Sequence, residues 1–311
     1  MNERLTERVK RKAAELGFAG VGIARAENLS NESVHLTEWL SRGYQGSMSW
    51  MERNVEKRRD VSKIVPKAKS VIAVAMNYHT EGRHSTDPGA GKISRYAWGD
   101  DYHQVLEERL DSLSAFLAEE VPGSTSRRYV DTGPVMDKAW AVRAGIGWLG
   151  KHTNVITRDL GSWVFLGEII TDVELVADEP IADYCGTCTA CLEACPTGAI
   201  VEPYVVDSNK CISYLTIEHR GDIPDSLKPK FQNWVYGCDI CQDVCPWNSF
   251  QKVTAERAFQ PRPENLAPPL ADLAEMSKEE FSRRFKGSPV KRTKREGLRR
   301  NARAVLDDNS T

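Results

Sequence analysis

The hydrophobic positions near the start of the chain change period after the first sixteen residues. Residues 2 to 16 repeat apolar positions at helical spacing, and Gly17 ends this segment. The apolar run "FAGVGIA" that follows is typical of a strand. A second apolar run, "SVIAVAMNY" (Ser70–Tyr78), predicts a buried strand. "DDYHQVLEERLDSLSAFLAEEV" (Asp100–Val121) predicts a long amphipathic helix that begins with an aspartate.

The same alternation continues to about residue 178. "RRYVDT" predicts a short strand, and "PVMDKAWAVRAG" predicts a helix with Pro134 in its first turn and Gly145 past its end. "SWVFLGEIITDVEL" predicts a further strand. Because helices and strands alternate, we expect residues 1–178 to form one domain of the α/β or α+β class.

The remainder of the chain follows a different pattern. Residues 179–250 are rich in turns and too short for a sizeable apolar core, so we expect bound metal clusters to act as the core of that segment. The next stretch, "RAFQPRPENLAPPLADLAEM", has four prolines and predicts an extended connection. An acidic and then basic helical pattern completes the third predicted segment, residues 251–311.

Composition adds a charge asymmetry to this pattern. The 311-residue chain has a formal net charge of −2, yet from Arg283 onward ten lysines and arginines face three acidic residues, so the preceding residues carry −9. The basic stretch is either a solvated helix face or a surface that meets phosphates. The charged N-terminus lacks the apolar region of a signal peptide, and no eighteen apolar residues run together. We therefore expect a soluble, cytoplasmic protein.

All eight cysteines lie within one window of about sixty residues, which indicates metal binding instead of a disulfide framework. They form the phrases "CGTCTACLEACP" and "CDICQDVCP", with one cysteine alone between them. The first phrase has the spacing of the bacterial ferredoxin run, in which three cysteines hold one 4Fe-4S cluster and the fourth reaches the other. The spacing assigns one cluster to Cys185, Cys188, Cys191 and Cys245, and the other to Cys195, Cys211, Cys238 and Cys241.

Two zinc sites of four thiolates each are the alternative, because CxxC pairs also suit tetrahedral zinc. Three cysteines only two residues apart, and a Cys-Pro at the end of each phrase, favour the clusters. Spacing does not identify the electron acceptor. The segment "GIGWLG" follows a predicted helix instead of a strand, which argues against a nucleotide site, and the six histidines form no HExxH pair.

Several separate motifs carry a family resemblance. "RYAWGDDYHQVL", "YVDTGPVMDKAWAVRAGIGWLGKHTNVI", "CISYLTIEHRG" and the two cysteine phrases together resemble the epoxyqueuosine reductases, and the likeness runs from the first helix to about residue 250. The resemblance implies an α+β fold with a nitroreductase-like domain that holds base-off cobalamin, followed by a ferredoxin-like domain with two 4Fe-4S clusters. That family removes the epoxide oxygen of epoxyqueuosine at the tRNA wobble position in a two-electron reduction. No DxHxxG motif, which would supply an axial histidine to cobalt, is present.

The resemblance also implies roles for individual residues. Asp131 of "VDTG" matches the family proton donor, and its pKa should be raised by burial beside the corrin. The residues alone favour another role for Asp131, as a strand-end aspartate that caps the helix predicted from Pro134, and the resemblance reverses that preference. The positions that match cofactor-binding positions of the family are Arg58, Ser94, Asp131, Val155, Leu166, Ser213 and His219. Ser94 stands where some members have cysteine.

Partners follow from the same resemblance. The substrate would be a tRNA anticodon stem-loop that carries epoxyqueuosine. Its modified base would be splayed out of the loop into a pocket, and the basic residues 283–303 would contact the flanking phosphates. Longer members continue into helical repeats beyond this point. We further expect an external low-potential electron donor, no membrane contact and a monomer. A cytoplasmic cobalamin-dependent reductive dehalogenase and a two-cluster electron carrier are the competing functions.

Overall fold

The chain is described by a computed structural model over residues 2–309, a range that holds twelve α-helices and ten β-strands. The helices are α1 Asn2–Glu15, α2 Ser30–Ser41, α3 Val55–Arg59, α4 Tyr102–Glu120, α5 Asp137–Arg143, α6 Ala190–Ala194, α7 Ile212–Ile217, α8 Ile240–Asp243, α9 Pro263–Leu266, α10 Leu270–Glu275, α11 Lys278–Arg284 and α12 Lys294–Asn309. The strands are β1 Gly20–Arg25, β2 Ser70–Asn77, β3 Lys92–Ile93, β4 Ser126–Tyr129, β5 Trp148–Leu149, β6 Val155–Ile156, β7 Val164–Thr171, β8 Ile200–Glu202, β9 Val205–Val206 and β10 Trp234–Tyr236.

A four-stranded antiparallel sheet of order β1-β2-β7-β4 forms the centre of the first half of the chain. All eight residues of β2 are buried, because both faces of the sheet are covered. Side chains of one parity on β2 pack with α1 and α4, and those of the other parity pack with α5. The strands and helices expected from the apolar runs are therefore present, in an α+β arrangement.

Helix α5 begins later than the sequence pattern predicts. Its first residue is Asp137, so Pro134 lies outside the helix. The carbonyl oxygens of Gly133 and Val135 accept hydrogen bonds from the Arg58 guanidinium at 3.5 and 3.2 Å. Because these tertiary bonds hold the chain before the helix, the proline sits in a connecting loop. The proposed capping role of Asp131 for a helix begun at Pro134 is therefore wrong.

The last sixty residues build a second hydrophobic core and are not a solvated tail. Leu298, Ala302 and Val305 of α12 are buried against α10 and against the β10 segment. The same core includes Tyr214 and Leu215 of α7, so the cysteine segment packs in an apolar core that it shares with β3 and with the end of the chain. The predicted boundaries at residues 178 and 250 stay predictions.

Strand β3 ties the two cores together. It lies in the first half of the chain but pairs in parallel with β10. Ile93, Ala97 and Trp98 are accordingly buried in the second core. None of the helices within residues 2–309 has the length and apolar character needed to span a bilayer.

Candidate redox and catalytic site

The first group of cysteines gathers around helix α6. Cys191 is buried, and the Lys151 ammonium donates to the carbonyl oxygens of Gly186 and Cys188 at 2.6 and 2.9 Å, which fixes the loop that carries this phrase. Burial, and then the charges of Cys245 and Cys185, raise the pKa of the Cys191 thiol to about 11. Cys245 is thus brought to the first phrase across more than fifty residues of sequence.

The second group forms where α7 and α8 begin. Burial, and then the charge of Cys211, raise the pKa of the Cys241 thiol. Burial also raises the pKa of Cys211, and the charge of Cys195 raises it further. Burial raises the pKa of Cys238, and the charges of Cys241 and Cys211 raise it further. The Ala199 amide donates to Cys195 Sγ at 3.3 Å. The four remaining cysteines are therefore neighbours.

These two groups have the donor chemistry of metal clusters. All eight cysteines are free of disulfide bonds. In each group burial and neighbouring thiols disfavour ionisation, so four thiolates would coexist only with cationic metal between them. The charges of Cys191 and Cys195 also raise the pKa of Cys241, so the two groups lie near each other.

Ser94 lies behind the second group. Its hydroxyl donates to the buried carboxylate of Asp239, which also accepts from the Arg95 amide at 2.9 Å. Asp239 directly follows Cys238, and a side chain at Gly237 would collide with Ser94 Cβ. Ser94 therefore supports the ligand loop of Cys238.

Asp131 occupies the loop between β4 and α5 in a left-handed conformation with φ of 55°. Its side chain is 64% exposed, and Asp131 Oδ2 lies 3.5 Å from His103 Nε2. Burial raises the pKa of Asp131, but the hydrogen bond and charge of His103, with the Tyr102 hydroxyl, lower it by more. The net pKa lies below the ordinary value, whereas the sequence reasoning expects it above.

Lys138 connects Asp131 to the second cysteine group. Lys138 is exposed, yet loss of hydration lowers its pKa, because surrounding protein atoms take the place of water. The charges of Asp131, Cys241 and Cys211 oppose this effect, because each of them raises the pKa of the Lys138 ammonium. Its Nζ donates to Asn154 Oδ1 at 3.2 Å. Lys138 therefore lies near both Asp131 and the second cysteine group.

Arg58 is buried and is not a surface residue of a basic run. Besides Gly133 and Val135, its guanidinium donates to the Trp50 carbonyl oxygen at 3.4 Å. Burial lowers its pKa, and the charge of Asp137 opposes that shift. Arg58 thus holds the loop that carries Asp131.

Four other matched positions fall on three separate elements and on the loop that follows α7. Val155 is buried in β6, and Leu166 of β7 is partly buried against the same core. The Ser213 amide donates to the Cys211 thiol. His219 hydrogen-bonds through Nε2 with the Asp222 carbonyl oxygen at 3.0 Å, and it lines a surface cleft of about 490 Å³. That cleft is also lined by Ser47, Trp50, Glu218, Arg220, Gly221, Arg292 and Lys294.

Several residues near Asp131 were missed by sequence reasoning. His103 and Lys138 both lie inside quoted motifs, but nothing local distinguishes them from surface residues. Glu168 gives a clearer signal, because a carboxylate stands within the apolar strand β7 and is fully buried there. Trp50 contributes to the cleft from a short 3₁₀ turn that has no periodic pattern.

Two protein-family models match the chain. The family described as "4Fe-4S double cluster binding domain" matches residues 184–248, which contain all eight cysteines. The family described as "Epoxyqueuosine reductase QueG, DUF1730" matches residues 58–132. The chain thus has a 4Fe-4S double cluster domain, as predicted, and this favours iron-sulfur over zinc.

Curated relatives match over nearly the whole chain. An epoxyqueuosine reductase of Synechocystis sp. is 51% identical over 92% of this chain and 100% of its own length. That of Escherichia coli strain K12 is 42% identical over 93% of this chain and 77% of its own length.

Solved structures agree in fold. A crystal structure of epoxyqueuosine reductase with an epoxyqueuosine-modified tRNA stem loop has a TM-score of 0.92 at 36% identity, covering 98% of this chain and 82% of that one. A catabolic reductive dehalogenase has a TM-score of 0.50 at 18% identity and covers 97% of this chain and 38% of that one, a likeness of fold alone. The expected fold class is confirmed, and the chain belongs to the epoxyqueuosine reductase family of enzymes.

Proposed function

We propose that this reductase converts epoxyqueuosine at the wobble position of tRNA to queuosine, with Asp131 as proton donor. Electrons from an external low-potential donor pass through the two 4Fe-4S clusters to a base-off cobalamin. The observation that supports this most directly is the position of Lys138. Burial lowers the pKa of its ammonium, and the charges of Asp131, Cys241 and Cys211 oppose that shift. Lys138 therefore lies near both the Asp131 carboxyl and the cysteines that we assign to the second cluster.

The residues around Lys138 and Asp131 fit a large, flat cofactor. Lys138 and Asp131 are accessible although protein surrounds them, and Leu166 and Val155 offer apolar bulk. We assign contacts with cobalamin to Arg58, Ser94, Asp131, Val155, Leu166, Ser213 and His219. Arg58 and Ser94 would act by holding the loops of Asp131 and Cys238. When bound, cobalamin supplies low-potential two-electron chemistry at cobalt.

A protonated histidine beside the cleft would not serve as an axial ligand, since it has no free lone pair on its ring nitrogens. The hydrogen bonds and charges of Asp101 and Asp131 outweigh the opposing effect of burial and raise the pKa of His103 to about 9. His103 is therefore protonated at neutral pH. This agrees with a cobalt that takes no protein histidine.

Asp131 has to deliver a proton to the departing epoxide oxygen, because an alkoxide leaves poorly. A bound cofactor and substrate would exclude water from the cleft, and this would strengthen the burial effect that already raises the pKa of Asp131. A solved structure of the Bacillus subtilis relative is described with its catalytic aspartate loop swung out of the active site.

The RNA would approach from the side of the cleft that contains Trp50. Arg292 lies over the Trp50 ring at 5.2 Å. The hydrogen bond to Glu218 raises the pKa of Arg292, and the charge of Asp131 raises it further. Lys291 and Lys294 are exposed next to it. An aromatic ring and basic side chains suit an unpaired nucleotide and its phosphates. A tRNA substrate would place the enzyme in the cytoplasm, and we propose that it acts there as a monomer.

The deciding experiment is nucleoside analysis of tRNA from a strain that lacks this gene. We expect epoxyqueuosine to accumulate and queuosine to return when the wild-type chain is supplied. Asp131→Asn should retain iron, sulfide and cobalamin but lose most turnover, about a hundredfold or more. Asp111→Asn, an exposed aspartate of α4, is the matched control and should restore queuosine. Normal queuosine in the deletion strain would reject the function, and full activity of Asp131→Asn would remove Asp131 from the mechanism.

A further inference from the structure

The reaction raises a question of proton supply. Removing an epoxide oxygen as water breaks two C–O bonds and consumes two electrons and two protons. One carboxyl group carries only one proton, so Asp131 has to be reprotonated within each turnover. A second ionisable group in contact with Asp131 would meet this need.

His103 is positioned for such a role. Its Nδ1 lies 2.7 Å from Asp101 Oδ1, and its Nε2 lies 3.5 Å from Asp131 Oδ2. The Nε2 atom is buried and has no hydrogen-bond partner of normal geometry in the described part of the chain. A separation of 3.5 Å is long for a hydrogen bond, and a small movement of the Asp131 loop would close or open it.

The surroundings fix the ring in this orientation. The Tyr102 ring stacks on the His103 ring with centroids 4.1 Å apart. The Phe165 ring of β7 stacks in turn on the Tyr102 ring, with centroids 4.2 Å apart. Asp101 also accepts a hydrogen bond from the His103 amide, so it caps α4 and orients the imidazole at once. The His103 side chain is 26% exposed although its Nε2 atom is buried, so part of the ring borders water.

Other charged groups face this triad from neighbouring elements. Lys138 of α5 and Arg292 before α12 add positive charge near Asp131. Tyr96 and Tyr236, with Tyr102, add hydroxyls whose pKa values are raised by burial. Of these groups, His103 is the one that is cationic at neutral pH and has a nitrogen aimed at the Asp131 carboxylate.

We propose that His103, oriented by Asp101, passes a proton from Nε2 to Asp131 Oδ2 between the two C–O cleavages. In the first step the Asp131 proton goes to the epoxide oxygen as one C–O bond breaks. The Nε2 proton of His103 then reloads Asp131, and in the second step Asp131 gives this proton to the departing hydroxyl, which leaves as water. The two electrons come from the external reductant, and His103 regains its proton from solvent. His103 is a positioning residue, since it acts through Asp131, and the inference rests on the proposed function.

Kinetics of the intact, cluster-loaded and cobalamin-loaded enzyme test this relay, with dithionite and methyl viologen as reductant and an epoxyqueuosine stem-loop RNA. His103→Gln should lower kcat about tenfold to a hundredfold with little change in KM. Wild-type kcat should fall as pH rises through the pKa of His103, and that decline should disappear in the variant. Added imidazole should restore kcat of His103→Gly but not of Asp131→Asn. His35→Gln, on an exposed helix face, is the control and should behave as wild type.

A second readout does not depend on turnover. Histidine NMR titration of the oxidised holoenzyme should give a pKa of about 9 for His103, assigned by loss of the signal in His103→Gln. Both Asp131→Asn and Asp101→Asn should lower this pKa, because each removes a negative partner. An unchanged pKa in Asp131→Asn would overturn the inference, as would an unaffected kcat or a loss that imidazole does not restore. If wild type fails to reduce the RNA at all, the proposed function fails instead, while the titration still tests the contact.

Discussion

Single residues behind the cleft carry unusual ionisation, and Glu168 is the clearest case. It lies in the middle of β7, fully buried, opposite the start of α5. Neither of its oxygens accepts a hydrogen bond from another side chain or amide within residues 2–309. Burial, and then the charge of Asp137, raise the pKa of Glu168 well above its usual range, and burial raises the pKa of Asp137 to about 6. Burial and the neighbouring Asp137 therefore favour the protonated, neutral form of Glu168 in the folded protein.

A neutral buried acid makes stability depend on pH. The folded state holds a proton on Glu168 that the unfolded chain releases above its ordinary pKa, so the free energy of unfolding falls as pH rises from about 5 to 8. Each pKa unit of the shift corresponds to about 1.4 kcal/mol. Glu168→Gln keeps the shape without a titratable proton, so we expect the variant to match wild type at pH 5 and to be more stable at pH 8.

Thermal denaturation at the two pH values measures this difference. Glu174→Gln is the matched control, because Glu174 is an exposed glutamate just beyond β7 and should alter neither value. Equal pH dependence in Glu168→Gln and wild type would mean that Glu168 is ionised in the fold.

At the scale of elements, helix α12 shows how a basic stretch becomes structural. Arg300 donates to the carbonyl oxygens of Leu215, His219 and Gly221 at 2.6 to 2.8 Å, which closes the end of α7 and the loop that follows. Asn301, the next residue, donates to the carbonyl oxygens of Thr216 and Val235 at 2.8 Å. The helix therefore holds the Cys211 segment in place by hydrogen bonds as well as by apolar packing.

Arg300→Ala should reduce stability by about 1 to 3 kcal/mol, because it leaves partly buried carbonyl oxygens without donors. Arg303→Ala, on the same helix, should change stability by less than about 0.5 kcal/mol, since Arg303 pairs only with the exposed Glu275 at 2.9 Å. Chemical denaturation monitored by circular dichroism compares the two variants. Similar losses in both would show that charge, and not carbonyl satisfaction, matters at this surface.

At the scale of the whole molecule, the two cores meet at the redox site. The sheet presents the Asp131 loop and α5 on one side, and the second core presents the Cys211 and Cys241 loops on the other. The cleft of Trp50, Arg292 and Lys294 opens beside this junction. Basic residues that remain exposed there, instead of the whole basic stretch, are the ones we expect to meet RNA.

The double variant Lys291→Glu, Lys294→Glu should therefore weaken binding of the anticodon stem-loop and reduce its salt dependence by about one per lost phosphate contact. Arg4→Glu with Arg11→Glu makes the same charge change on α1, which packs in the other core, and serves as control. Fluorescence anisotropy across a salt series gives both quantities. Equal weakening in the two double variants would place the RNA elsewhere on the surface.

Much of this architecture follows from local sequence. The strands β2 and β7 and the helices α1 and α4 were predictable because each has an unbroken apolar periodicity that neighbours in sequence impose. The start of α5 and the burial of Arg58 were not, since both depend on hydrogen bonds to a loop 75 residues away or more. The tail was read as a charged surface because the carbonyl oxygens that bind Arg300 lie about eighty residues earlier in the chain.

The sequence by itself determined the number and spacing of the cluster cysteines, because ligand geometry is written into short intervals, and it carried the family motifs around Asp131. Only the tertiary structure decided which groups share the cleft. Asp131, His103 and Lys138 stand on three different elements, and their pKa values depend on distances and burial that arise when the cores pack. Ionisation is set by the three-dimensional field around a group, so no local pattern could have given it.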